Sequence, residues 1–291
     1  MFFGSIPALV TPFSGGRVAE DTFRELVDWQ IAEGSDALVP CGTTGEGATL
    51  SRDEHRHVVA TAVEAARGRV PVIAGCGSNS TEAAIEMMRA AADVGADAAL
   101  VVVPYYNKPS QAGLAAHFTA VAEASPLPVI VYNVPSRTVA DISVETLAEV
   151  AKHHRIVGIK DATGNLGRVT AQRLACGTDF VQLSGNDEAA LGFNAMGGVG
   201  CISVTANVAP RLCADFQRAT REERWNDALD LQDRLYPLHA ALFSDASPGP
   251  AKYALSKVRP GFATELRLPL TEPSDSSKRA VDAALAHAGL I

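Results

Sequence analysis

Lys160 closes the apolar segment Ile156-Val-Gly-Ile-Lys160 in a chain where lysine is scarce, supplying six of the 25 basic residues against nineteen arginines. Lys108, Lys152, Lys252, Lys257 and Lys278 fall in polar or helical-surface contexts, so Lys160 alone ends an apolar strand. Burial disfavours an ammonium, and a lysine there can be a free amine near neutral pH, able to attack a carbonyl and form a Schiff base. A strand-end lysine that snorkels to solvent is the competing reading, and strand context alone does not choose between them. Other chemistry-bearing stretches also follow short apolar runs: Cys41-Gly-Thr-Thr-Gly-Glu46, Tyr105-Tyr-Asn-Lys-Pro109, Tyr132-Asn-Val-Pro-Ser-Arg-Thr138 and Ser184-Gly-Asn-Asp187. Gly42 and Gly45 let backbone N–H groups converge on an anion, such as the carboxylate of a keto acid, with the Thr43 and Thr44 hydroxyls as further donors. A plain strand-to-helix turn is the alternative there. Tyr132 and Arg137 are singly ordinary, a packing aromatic and a surface cation. On one rim with Lys160 they become a proton relay and a carboxylate clamp. Asp161 should alternate away from the interior and reads as structural.

The elements that must position these residues recur along the chain. Short, continuously apolar runs lie at Ile6–Val10, Ala37–Pro40, Val70–Ala74, Ala98–Val103, Val129–Tyr132, Ile156–Lys160, Phe180–Ser184 and Val199–Val204. Continuous rather than alternating hydrophobicity suits parallel strands covered on both faces. Helical periodicity separates them, as at Asp21–Ala32 and Thr81–Val94, and Ser143 stands as an N-cap three residues before Thr146. The alternation predicts an α/β fold, a (β/α)8 TIM barrel with its active site at the C-terminal ends of the strands. Beyond the eighth strand, Arg211 to about Leu242 reads as helix only. A Pro/Gly break at Ser247–Pro250 follows, then helical stretches at Ala251–Val258 and Ser274–Ala288. The division expected is a catalytic barrel over 1–225 and a C-terminal helical cap over 226–291.

Composition agrees with that plan. The 291 residues, 47% hydrophobic and 20% charged, fit a barrel of about 250 residues with a small appendage and exclude bulk disorder. A net charge of −8 and the lack of any basic run argue against nucleic acid as a partner. The opening MFFGSIPALVTPF has no basic start and meets Pro7 and Pro12 early, a poor signal peptide. No apolar run reaches the roughly 18 residues that span a bilayer. Cys41, Cys76, Cys176, Cys201 and Cys213 are scattered without a C-x-x-C pair, which suits buried free thiols in a reducing cytoplasm. Neither His55 with His57 nor His153 with His154 shares a helix face, so no metal is expected. Gly197-Gly-Val-Gly200 resembles a nucleotide-loop fragment but precedes a strand instead of following one.

Taken together, Gly42-Thr-Thr-Gly-Glu46, Tyr132-Asn-Val-Pro-Ser-Arg137 and Gly158-Ile-Lys-Asp-Ala-Thr163 resemble the motifs of the dihydrodipicolinate synthase family. That family lies within the pyruvate-dependent class I aldolases that include N-acetylneuraminate lyase. The resemblance extends from Gly4-Ser-Ile-Pro-Ala-Leu-Val-Thr-Pro12 to Gly249-Pro-Ala-Lys-Tyr-Ala-Leu255. It implies condensation of pyruvate, through a Schiff base on Lys160 and without a cofactor, with L-aspartate 4-semialdehyde. The product would be 4-hydroxy-tetrahydrodipicolinate, the first committed step of diaminopimelate and lysine biosynthesis. It also implies a relay of Tyr132, Thr43 and Tyr106, the last from a neighbouring subunit of a homotetramer. Thr43 and Thr44 would hold the pyruvate carboxylate, Gly185 and Ile202 would line the same pocket, and Arg137 would bind the semialdehyde carboxylate. Sugar-acid lyases of the superfamily usually carry Ser-Thr at the Thr43-Thr44 position and lack the Ser-Arg-Thr of 136–138. Those differences, Arg137 above all, separate this chain from them; another keto-acid aldolase is the main alternative, and a barrel kept only for binding the remote one.

Many members of the family bind lysine as an inhibitor between subunits, at a patch matching Ala48, His55, Asn79 and Tyr105 here. Arg52 stands where a histidine is common, and Ala83 where a glutamate usually holds the lysine ammonium. Weak or absent lysine inhibition follows, unless Glu82 or Glu86 supplies the missing carboxylate.

Overall fold

In the computed structural model, which describes residues 2–291, strand and helix alternate along most of the chain. The order is β1 (Gly4–Pro7), a hairpin of β2 (Phe13–Ser14) and β3 (Arg17–Val18), α1 (Glu20–Ala32), α2 (Arg52–Ala66), β4 (Ile73–Gly75), α3 (Thr81–Asp93) and β5 (Ala98–Val102). Then come α4 (Gln111–Ala124), β6 (Val129–Asn133), the short α5 (Pro135–Thr138), α6 (Val144–Val150), β7 (Ile156–Asp161), α7 (Gly167–Cys176), β8 (Val181–Ser184) and α8 (Ala190–Ala195). The chain ends with β9 (Gly200–Ser203), α9 (Pro210–Arg221), α10 (Trp225–Ala241), α11 (Gly249–Val258) and α12 (Asp275–His287).

Seven strands form one parallel sheet in the order β1-β9-β8-β7-β6-β5-β4. The expected strand at Ala37–Pro40 completes the ring: Ala8 bridges to Val39 and Leu38 to Val72. Leu9 N–H donates to Val39 O at 2.9 Å and Ile73 N–H to Leu38 O at 2.8 Å. This stave is too short for a continuous ladder, because Pro40 has no N–H and Cys41 turns away at φ +58°. The result is a (β/α)8 barrel. Proline also explains why the third expected strand starts late, at Ile73 and not Val70, since Pro71 cannot donate.

Apolar side chains fill two shells. Ile6, Val39, Ile73, Leu100, Ile130, Leu183 and Ile202 pack inside the ring, all less than a tenth exposed. A larger layer between strands and helices runs without a break into Leu235 and Leu238 of α10, Leu255 of α11 and Val281 of α12. Serine opens five of the helices. Ser51 makes a full capping box with Glu54, and Ser80, Ser110, Ser143 and Ser274 each accept an N–H three residues on.

The stretch from Arg211 to Leu242 that reads as helix only holds two helices, α9 and α10. Glu223 makes the break at φ +58° in the polar run Arg221-Glu-Glu-Arg224, where neither Gly nor Pro signals it. The Pro/Gly break is also shorter than expected. Helix α11 begins at Gly249, with Pro250 in its first turn where a missing N–H is harmless. Among the described residues, no helix is long and apolar enough to cross a membrane.

Candidate active site

Parallel pairing of β6 and β7 sets Tyr132 against Lys160, after a register irregularity at Val129/Ile130 that shifts β7 by one residue. Lys160 Nζ lies 4.2 Å from the centroid of the Tyr132 ring. Lys160 is 6% exposed, and its Nζ has no hydrogen-bond or ion-pair partner among the described residues. The amine faces a cavity of about 510 Å³ at the C-terminal mouth of the barrel, walled in part by Thr43, Thr44, Tyr132, Arg137, Lys160 and Gly185. These are six of the residues singled out from the sequence. Gly185 has no room for a side chain: a Cβ would sit 2.6 Å from the Ala162 Cβ and 3.1 Å from the Lys160 Cε.

The loop after the second stave folds into a tight turn around its own carbonyls. Gly42 O accepts from Gly45 N–H at 3.1 Å and Gly47 N–H at 3.2 Å, and Thr43 O accepts from Glu46 N–H at 3.1 Å. Among the described residues nothing accepts from the N–H groups of Thr43 and Thr44, which leaves two main-chain donors beside the cavity. Glu46, in the left-handed region at φ +54°, turns its carboxylate inward. There it accepts from Lys252 Nζ at 2.5 Å and from Arg267 N–H at 3.0 Å, while Lys252 also donates to Glu265 O at 2.7 Å. Lys252 is thus wholly buried, not on a helical surface as its charge suggested. Desolvation pushes its pKa down and the Glu46 carboxylate counters that. The apolar flanks Pro250-Ala251 and Tyr253-Ala254-Leu255 were the available signal.

Arg137 sits in α5, exposed and without an ion-pair partner among the described residues. Its turn ends at Val139, at φ +62°, an unusual conformation for a β-branched residue. Helix α10 supplies wall that the sequence reading did not foresee: Tyr236, His239 and Phe243, just past its end, with Ser247 beyond. The His239 Nδ1 lies 2.8 Å from Thr205 Oγ1, and burial lowers its pKa. Asn186 lies inside the stretch Ser184–Asp187 that the sequence singled out, whereas Glu188, one residue past it, was missed. Asp161 faces away from the cavity. It accepts from Thr163 N–H at 2.9 Å, Thr163 Oγ1 at 2.6 Å, Arg168 Nε at 3.0 Å and Gln172 Nε2 at 2.7 Å, which ties the β7 exit to α7. Cys41 is buried, and desolvation pushes its thiol pKa well up, which favours the thiol over the reactive thiolate.

The remaining residues lie elsewhere. Ile202 packs in the barrel interior, without reaching the cavity wall. Tyr106 is 94% exposed at φ +70° and points away from its own chain's cavity. Ala48, His55 and Tyr105 line a second cavity of about 510 Å³, which shares Thr43, Tyr132 and Arg137 with the first. Asn79 is off that wall; its carbonyl accepts from Asn107 Nδ2 at 2.8 Å. Glu86 pairs with Arg52 at 3.3 Å, and Ala83 O accepts from Arg52 Nη1 at 3.1 Å. Among the described residues no three His, Cys, Asp or Glu side chains gather into a metal-binding cluster.

Residues 1–288 match the model of the dihydrodipicolinate synthetase family. The 4-hydroxy-tetrahydrodipicolinate synthase of Rhizorhabdus wittichii is 67% identical over 290 residues, and that of Zymomonas mobilis 65% identical over 291, each alignment covering 100% of both chains. Among solved structures, the chloride-inhibited dihydrodipicolinate synthase of Acinetobacter baumannii complexed with pyruvate superposes with a TM-score of 0.97, at 43% identity and 100% coverage of both chains. The enzyme from Aquifex aeolicus superposes with a TM-score of 0.96, at 41% identity and 99% coverage of both. With likeness running from end to end in sequence and in fold, the chain belongs to the dihydrodipicolinate synthetase family.

Proposed function

We propose that this chain is a lyase that condenses pyruvate with L-aspartate 4-semialdehyde to give 4-hydroxy-tetrahydrodipicolinate, on the path to diaminopimelate and lysine. The carrying observation is the shielded, unpartnered Lys160 amine, set beside the Tyr132 ring on a cavity edged by Thr43 and Thr44. Pyruvate enters with its carboxylate on those two main-chain N–H groups. Lys160 Nζ adds to its carbonyl carbon and water leaves, forming the Schiff base. Tyr132, relayed through Thr43, takes a methyl proton and yields the enamine. The enamine carbon bonds to the aldehyde carbon of the semialdehyde, whose carboxylate Arg137 holds as a planar clamp. The amine of that substrate then adds to the imine carbon, expels Lys160 and closes the ring. The protonated imine serves as the electron sink, so the reaction needs no metal or redox cofactor.

Tyr106 completes the relay from a second copy of the chain, a role that its exposure and left-handed backbone suit. The active unit is then at least a dimer, and a homotetramer is the expected assembly, in the cytoplasm. Gly185 brings the floor of the pocket against the lysine, and Ile202 supports it from the next strand. Residues 1–225 form the catalytic barrel and 226–291 a cap fused to it. Arg137 favours a carboxylate-bearing acceptor over the neutral polyol of a sugar-acid lyase.

An assay coupled to dihydrodipicolinate reductase, following NADPH oxidation with both substrates, tests this directly. Turnover is expected in the wild type and is lost in Lys160→Ala. A wild type without turnover overturns the assignment, and borohydride trapping with pyruvate then separates another Schiff-base aldolase from a silent barrel.

A further inference from the structure

The cavity wall carries more charge than the steps above use. Lys160, Arg137 and His239, the last with its pKa lowered by burial, are its basic residues, and Glu188 is the one acidic side chain lining it among the described residues. Glu188 stands in the turn Asp187–Ala189 after β8 and is pinned at two points. Gln232 Nε2 of α10 donates to its carbonyl at 3.2 Å, and Asn186 Nδ2 donates to its Oε1 at 3.0 Å. No described Lys, Arg or His pairs with its carboxylate, so its negative charge is left for whatever occupies the cavity.

The substrates present five charged or reactive groups, and four have partners. The pyruvate carboxylate has the N–H groups of Thr43 and Thr44, the acceptor carboxylate has Arg137, and the carbonyls meet Lys160 and its enamine. The ammonium of the acceptor remains. We infer that Glu188 binds this ammonium, so that Arg137 and Glu188 together select an aldehyde bearing both a carboxylate and an amine. The inference rests on the reaction given under Proposed function. An electrostatic contact at a solvent-open wall is worth a modest factor, about two- to fivefold in KM, not an all-or-none loss. Asn186, in turn, positions the carboxylate.

The test compares wild type with Glu188→Gln, which retains an oxygen for the Asn186 amide and lies on an exposed turn, leaving the core untouched. Three quantities are read: KM for L-aspartate 4-semialdehyde, KM for pyruvate, and the inhibition constant of succinic semialdehyde, which has the same aldehyde and carboxylate without the amine. The expected result is a rise of about two- to fivefold in the first alone. An unchanged KM for the amino-aldehyde overturns the inference. So does a parallel rise for succinic semialdehyde, which would make Glu188 a shaper of the cavity instead. Wild-type turnover separates the two layers: its absence sinks the reaction, whereas turnover with either contrary pattern sinks only the role of Glu188.

Discussion

Lys252 Nζ and Glu46 Oε1 meet at 2.5 Å across 206 residues of chain, with neither side chain reachable by solvent. The ammonium also lies 4.4 Å from the Phe13 ring, and the Arg267 guanidinium 4.3 Å from the same ring. Arg267 reaches on to Gly16 O at 2.7 Å and to Glu54 at 2.5 Å. This buried tie fastens α11 to the loop that presents Thr43 and Thr44. Removing one partner strands the other charge without water. Lys252→Met should therefore lower the unfolding free energy by about 3–5 kcal/mol, and the double variant Glu46→Gln/Lys252→Met should regain most of the loss. Urea unfolding of the wild type and both variants checks the order.

Gly185→Ala forces a methyl group to within 3.1 Å of the Lys160 Cε and 2.6 Å of the Ala162 Cβ. The lysine must swing, and a displaced nucleophile loses near-attack geometry. Turnover should fall by at least about tenfold, while the melting temperature moves only a few degrees, as read by the coupled assay and by thermal unfolding.

Acid should weaken the fold in two windows. Burial pushes His117 from 6.5 to about 4, so between these values the unfolded chain binds a proton that the folded chain refuses, and stability falls as pH drops through the window. The Arg267 guanidinium holds Glu54 at about 2, down from 4.5, which adds a second loss between those values as pH falls. Glu54 is partly solvated, so its share is smaller. His117→Gln should flatten the upper window and Glu54→Gln the lower one, in denaturant midpoints measured across acid pH.

L-Lysine should not inhibit at low-millimolar concentration. Ala83 offers no carboxylate, and Glu86, the nearby substitute, is already paired with Arg52 at 3.3 Å. Steady-state assays with added lysine check this, and a clear dose response there would refute it.

Much of the molecule was readable in advance for one physical reason. Parallel strands covered on both faces must be continuously apolar, so eight such runs marked the barrel and Lys160 stood out as the charge ending one of them. Strand ends shifted where Pro40 and Pro71 withhold an N–H. The split between α9 and α10 was invisible because Glu223 adopts a positive φ without being glycine. Tyr236 and His239 escaped notice because helical periodicity separates a covered face from an exposed one but not core from cavity wall. Lys252 was misread because its compensating charge is 206 residues away, beyond any local pattern.

The two halves of the cavity are built from different material. In the proposed reaction the donor side rests on main-chain N–H groups, in a turn locked by Gly42, Gly45 and the buried Glu46 and not on the side chains of Thr43 and Thr44. The acceptor side, in that proposed reaction, rests on the side chains of Arg137 and Glu188, each lining the cavity and free of any salt-bridge partner among the described residues. Descent from a shared ancestor could then vary the aldehyde while the keto acid stayed fixed. Laboratory evolution of new carbon–carbon bond formation on this scaffold should find its freedom at those two positions.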